Sequence, residues 1–161
     1  MPRQKPPPSD PLQTAPLSDD LRALAERGTL CRFAKGAGLI QEGSIDDTIY
    51  IVLDGRLRVY GSHLVNDREI THGTYGPGEY VGEMSLDGGA RSASVMALEP
   101  TTCAMITRRT LEAHLTERPA FAFELLAKVI RRARAATLSA KSMALNDVYG
   151  RLKQLLESLA E

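Results

Sequence analysis

The 161-residue sequence predicts an α+β fold: an antiparallel β-roll or jelly roll with short flanking helices and a long C-terminal dimerisation helix. Three observations carry this. All but one of the thirteen glycines fall between Gly28 and Gly89, where they punctuate short apolar segments. Between Ala120 and Tyr149 there is neither Gly nor Pro, as a long helix requires. Six of the nine prolines lie in the first sixteen residues, so 1–16 is expected to be an extended, poorly ordered arm.

The elements follow in order. Ser18 before Asp19, Asp20 and Leu21 reads as an N-cap with acidic residues in the first turn; Leu21 and Leu24 give an apolar stripe that Gly28 ends. Strands are then expected at Thr29–Phe33, Leu39–Gln41, Thr48–Leu53, Arg56–Tyr60, Glu69–Tyr75, Tyr80–Val81, Ser92–Ala97 and Thr102–Thr107. Turn signals separate them: Lys35-Gly36, Glu42-Gly43, Asp54-Gly55, Gly61-Ser62, Gly76-Pro77-Gly78 and Glu99-Pro100. A short helix over Arg109–Leu115 closes the β domain, assigned to 17–118, before Pro119.

The dimerisation helix, 119–145, has the clearest periodicity. Phe123, Leu126, Ile130, Ala133, Thr137, Ala140 and Ala144 alternate spacings of three and four, an a/d seam over about three heptads. Arg131, Arg134 and Lys141 point elsewhere. The alternative is a lone amphipathic helix packed on its own β domain; because the seam narrows to Ala and Thr and runs too long for a small barrel to cover, a homodimer through Phe123–Ala144 is expected. Asn146-Asp147 is expected to interrupt it, with Asp147 capping a second helix, Val148–Leu159, in the segment 146–161. Its Leu152, Leu155, Leu156 and Leu159 need a cover: either the β domain or a surface outside this chain, the second being expected.

Composition narrows the function classes. Lys and Arg number 20 against 20 Asp and Glu, so bulk attraction to nucleic acid or anionic membrane is not expected. No apolar run approaches the roughly 18 residues of a membrane span, and Met1–Pro8 has no signal-peptide core. The expected location is the cytoplasm. Cys31 and Cys103 have no CxxC partner, so no metal or iron–sulfur site is expected. A single disulfide between them is formally open, but two reduced thiols in strands are expected. Jelly rolls also host metal oxygenases, but His63, His72 and His114 lack the spacing those ligands need, so no enzyme and no cofactor is expected.

The densest chemistry lies in Val81-Gly82-Glu83-Met84-Ser85-Leu86, the bend Asp87-Gly88-Gly89, and Arg91-Ser92-Ala93. Gly82 permits close backbone approach, and a turn starting at Glu83 presents N–H groups. Arg91 offers a planar, permanently charged fork and Ser92 a further donor. Together they suit one compact anion such as a phosphodiester. Glu83 would repel a terminal phosphate yet accept a sugar hydroxyl, which points to a 3′,5′-cyclic nucleotide rather than a triphosphate; no GxxxxGK[ST] loop is present. Alternatively, Glu83 and Arg91 are a surface ion pair across a Gly-rich loop.

Gly82-Glu83-Met84-Ser85-Leu86 followed by Arg91-Ser92-Ala93 resembles the phosphate-binding cassette of cyclic nucleotide-binding domains. Gly38–Gly43, Ile49–Gly55 and Pro77–Glu83 are similar to that family's glycine turns and strands, and Asp147-Val148-Tyr149-Gly150-Arg151 extends the likeness to the sensor half of CRP/FNR-type bacterial regulators. The resemblance implies Arg91 and Ser92 on the cyclic phosphate, Glu83 on the ribose 2′-hydroxyl, and backbone donors around Gly82 and Ser92. It also implies Arg132 closing over the pocket and Thr137 reaching the base, in part across the dimer. Thr137 could equally bond its own helix carbonyl. The resemblance implies cyclic AMP as the ligand; the departures at Ala136, where relatives often carry a hydroxyl, and at His72, which either faces the base or is a surface histidine, keep cyclic GMP as the alternative.

The resemblance further implies regulation of transcription through a helix-turn-helix domain of roughly 50–60 residues, which this sequence does not include; contact with DNA is expected only of a longer parent. The alternatives are a stand-alone cyclic nucleotide-binding module acting on a protein partner and a dimeric scaffold with a degenerate pocket.

Overall fold

Residues 9–63 and 65–159 are described by the computed structural model. They form two four-stranded antiparallel sheets of order β1-β8-β3-β6 and β2-β7-β4-β5. The strands are β1 (Thr29–Phe33), β2 (Gly38–Ile40), β3 (Ile49–Asp54), β4 (Leu57–Ser62), β5 (Glu69–Tyr75), β6 (Tyr80–Val81), β7 (Ser94–Ala97) and β8 (Thr101–Ile106). All eight expected strands are present, three with the expected bounds. The α+β β-roll expectation therefore holds.

The core lies between the sheets. Ile40, Val95, Ala97 and Leu57 come from one sheet, and Tyr50, Val52, Val81 and Cys103 from the other. Strand β3 is buried from Ile49 through Leu53, as its unbroken apolar run requires. Gly55 makes the turn into β4 at φ +94°, and a Cβ there would lie 2.6 Å from the Thr101 Cα. Only glycine fits.

Helix α2 (Asp19–Glu26) is capped by Ser18, whose hydroxyl accepts the Leu21 amide at 3.2 Å, and it buries Leu21, Leu24 and Ala25. Helix α3 (Arg108–Glu117) starts from Thr107, which caps Thr110, and buries Leu111 and His114. The arm departs from expectation. Its first eight residues lie outside the described residues, but Pro11–Thr14 form a short helix, α1, and Ala15 is buried. The Arg22 guanidinium reaches back to the Leu12 and Ala15 carbonyls, and these contacts order a stretch that composition alone reads as loose.

The chain falls into two units, Met1–Phe121 and Ala122–Glu161. Helix α4 (Ala120–Leu159) starts in the last two residues of the first unit and supplies all described residues of the second. A break at Asn146-Asp147 was expected and is absent. Helix α4 runs through it as one 40-residue element, and Asp147 pairs with Arg151 one turn later at 2.9 Å instead of capping a new helix. The propensity cost of Asn, Asp and Gly150, about 0.5–1 kcal/mol each, is outweighed by the Leu, Lys, Gln and Glu around them. The seam residues Phe123, Leu126 and Ile130 and the later Leu152, Leu155, Leu156 and Leu159 are all exposed on α4. Among the described residues, no helix is long and apolar enough to cross a membrane.

Candidate functional site

Strand β6 delivers the chain to Gly82, which stands at φ +99° and starts a single 3₁₀ turn, Glu83–Ser85. A Cβ at Gly82 would come within 2.6 Å of the Thr48 carbonyl oxygen and 2.9 Å of Arg91 Nη1. Conformation and close approach therefore both demand glycine. The turn buries Glu83 and Ser85 and leaves Met84 exposed. Beyond it, Gly88 adopts φ +85° and its amide donates to the Ser85 carbonyl at 3.1 Å. Arg108 of α3 donates to the Leu86 carbonyl at 3.0 Å, tying the end of this segment to the helix.

Arg91 is the centre of the site. The residue is 3% exposed, yet its guanidinium is charged at any ordinary pH. Nη1 donates to the Gly82 carbonyl at 3.0 Å; Nη2 donates to the Thr48 carbonyl at 2.7 Å and to Asp46 Oδ2 at 3.1 Å. Nε is buried and has no acceptor among the described residues. The Arg91 backbone is held as firmly: its amide donates to the Ser44 carbonyl and its carbonyl accepts the Gly43 amide, each at 2.8 Å. The β2–β3 loop and the Gly82–Ala93 segment are thus fastened to each other through one residue.

Asp46 escaped the sequence reading, although a signal was available. Asp-x-Thr ahead of a strand is an Asx-type turn, and here Oδ1 accepts both the Thr48 amide at 3.1 Å and the Thr48 hydroxyl at 2.8 Å. Burial alone would raise the Asp46 carboxyl, but these bonds and Arg91 outweigh it and hold the group below the ordinary carboxylate value.

Of the expected site residues, Gly82, Glu83, Met84, Ser85, Arg91, Ser92 and Ala93 lie in this one segment, with Ser92 exposed and Ala93 partly buried. Gly82 and Arg91 are in direct contact. Arg132 and Thr137 belong to the second unit, on α4, and the Thr137 hydroxyl donates to the Ala133 carbonyl of its own helix at 3.0 Å. His72 is exposed on β5. A Cβ on Gly61 would lie 2.8 Å from its Nε2 and 3.6 Å from Glu42 Oε2, so Gly61 makes room for the imidazole beside that carboxylate.

The family comparison matches residues 30–118, more than half of the chain, to the cyclic nucleotide-binding domain. The chain belongs to the cyclic nucleotide-binding domain family. It is 33% identical over 128 residues to the cyclic AMP receptor protein of Thermus thermophilus, covering 79% of this chain and 59% of that one. The crystal structure of the Thermus thermophilus catabolite activator protein superposes with a TM-score of 0.72 at 30% identity, over 84% of this chain and 63% of that chain. The N-terminal domain of a transcriptional regulator from Streptomyces coelicolor A3(2) gives 0.60 at 30% identity, over 80% of this chain and 90% of that domain. This cyclic nucleotide-binding domain therefore spans less than two thirds of the Thermus relative. Its β-roll is that of the CRP-like regulators.

Proposed function

We propose that the chain is the sensing and dimer-forming part of a cytoplasmic, CRP-like transcription regulator, and that it binds a 3′,5′-cyclic nucleotide, cyclic AMP, without catalysis. The observation that carries this reading is Arg91: a buried cation with a buried Nε donor still to be matched, set against a glycine that only a close-packed turn requires. Nε and Nη2 form one edge of the guanidinium, the side-on fork that grips two oxygens of a phosphodiester. A cyclic phosphate taking that edge would satisfy Nε and compete with Asp46 for Nη2.

The remaining roles follow from chemistry. Glu83, buried in the turn, would accept the ribose 2′-hydroxyl; Ser92 would donate to a phosphate oxygen. Arg132 and Thr137 would contact the nucleotide from the long helix in one packing of a homodimer and not in another. Such differential contact is the only way a ligand shifts a conformational equilibrium. DNA contact would belong to a further domain of a longer parent.

Calorimetric titration of the purified chain with cyclic AMP and with cyclic GMP tests the reading, with Arg91→Ala alongside. Cyclic AMP binding that weakens by about 2–4 kcal/mol in the variant is expected, because a charged ligand group loses its partner. No binding to the unaltered chain at millimolar nucleotide overturns the sensor and leaves a dimeric scaffold.

A further inference from the structure

The two cysteines, 72 positions apart in sequence, are direct partners in the β1–β8 ladder: Cys31 faces Cys103. Side chains directly opposite in an antiparallel pair project to the same face, with Cα atoms about 4.5–5.5 Å apart. That separation lies inside the window a disulfide accepts, about 4.4–6.8 Å. Both thiols are free.

Their surroundings differ. Cys103 is fully buried in the core cluster with Tyr50 and Val52, whereas Cys31 is partly exposed. Phe33, two residues on along the face of Cys31, stacks edge-on against Tyr50 at 6.0 Å, so the pair sits where the core meets solvent. One sulfur is within reach of a small oxidant and the other is not.

We propose that Cys31 and Cys103 are a redox modification site, closed by a hydroperoxide into a cross-strand disulfide that staples β1 to β8. The Cys31 thiolate attacks the peroxide; its S–O bond forms as the O–O bond breaks, and the leaving oxygen departs with a proton as water or alcohol. The Cys103 sulfur then attacks the sulfenic sulfur of Cys31. The S–S bond forms, the S–O bond breaks, and the Cys103 proton leaves with the hydroxide as water. Two thiols lose two electrons and two protons, which the peroxide takes up.

Burial, with Cys31 adding to it, pushes the Cys103 thiol up to about 12. That keeps Cys103 protonated and inert to reagents from solution; what brings it to the sulfenic sulfur is its place directly opposite Cys31 in the ladder. The staple encloses every strand from β2 to β7 and the whole Gly82–Ala93 segment, so oxidation restricts the unfolded chain and raises the unfolding midpoint.

The full reduced chain, treated with hydrogen peroxide, then denatured, alkylated with N-ethylmaleimide and weighed intact, gives the test. The expected product has lost two hydrogens, takes up no maleimide at either cysteine, unfolds at higher temperature, and returns to two free thiols with dithiothreitol. Cys103→Ser should instead gain one or more oxygens at Cys31. Cys31→Ser should keep Cys103 fully alkylatable after denaturation. Wild-type chain that gains oxygens at Cys31 while Cys103 stays free, that links to a second chain on a non-reducing gel, or that does not react overturns the proposal.

Discussion

The Arg91 guanidinium and the Asp46 carboxylate meet at 3.1 Å across the edge of the core, the arginine side chain 2% exposed and the aspartate 46%. The charge that cannot be solvated is on the arginine; the partner that neutralises it keeps access to water. Such a pair is easily remade, because the exposed member loses little when another anion takes its place.

Asp46→Asn is expected to lower stability by about 1 kcal/mol, read by urea or thermal unfolding, since a buried cation loses its counter-charge but keeps two carbonyl acceptors. Cyclic nucleotide affinity should rise several-fold, as a competitor for Nη2 is gone. A fall in affinity would mean that Asp46 positions Arg91 for its ligand. Because Asp46 is held below its ordinary value of 3.8, its contribution is present above that pH and is lost as pH falls through the lower folded value. Acid unfolding of the variant should lack that step.

Gly82 and Gly88 both have positive φ, but only Gly82 is crowded; a Cβ on Gly88 meets nothing within 4 Å. Gly88→Ala is expected to cost about 1 kcal/mol from backbone strain alone. Gly82→Ala should cost roughly 2–4 kcal/mol, because Thr48 and Arg91 must also shift, and should weaken nucleotide binding. Equal effects in unfolding and calorimetry would remove the special role of Gly82.

Much of the β-roll was legible because strands such as β3 are short apolar runs with Gly or Pro close behind, whereas β5 is polar and exposed and Gly61, a turn signal in sequence, lies inside β4. The residues of Gly82–Ala93 could be grouped from sequence because they are contiguous, and the structure brings Gly82 and Arg91 of that segment into contact. Asp46 was not. Its bond to Arg91 spans 45 positions and depends on which loops the sheets bring together. The cross-strand position of Cys31 and Cys103 needed the β1–β8 register, which no spacing in sequence encodes. The unbroken α4 was misread because Asn146-Asp147 looks like a cap, whereas an i,i+4 partner for Asp147 at Arg151 lets the helix continue.

His114 is fully buried on α3, its ring edge-on to Phe121 at 5.2 Å. Burial lowers its pKa from 6.5, the cations Arg27 and Arg118 lower it further, and Asp20 pulls the other way. Arg118 and Asp20 are paired to each other at 2.9 Å, and Arg27 pairs with Glu117, so those charges are partly answered. The unfolded chain therefore binds the proton first. Stability should be level above pH 6.5 and fall below it, by at most about 1.4 kcal/mol per pH unit, until the folded value is passed. His114→Leu should flatten that window in pH-dependent thermal unfolding. An unchanged slope would assign it elsewhere.

The proposed dimer makes a prediction that depends on where the α4 seam stops. Continuing the three-four alternation past Ala144 leads to Asp147, Arg151, Gln154 and Ser158, all polar, with Asp147 and Arg151 bonded to each other. The later apolar residues Val148, Leu152, Leu155 and Leu159 stand one position further on and so face another direction on the helix. A homodimer through Phe123–Ala144 should therefore end near Ala144. Ile130→Glu sets two carboxylates opposite each other in the seam and is expected to shift the chain to monomer in sedimentation equilibrium. Leu152→Glu should leave the dimer intact, as should Lys141→Glu outside the seam. Dissociation by Leu152→Glu, with Ile130→Glu still dimeric, would move the interface to the C-terminal leucines and separate it from Thr137.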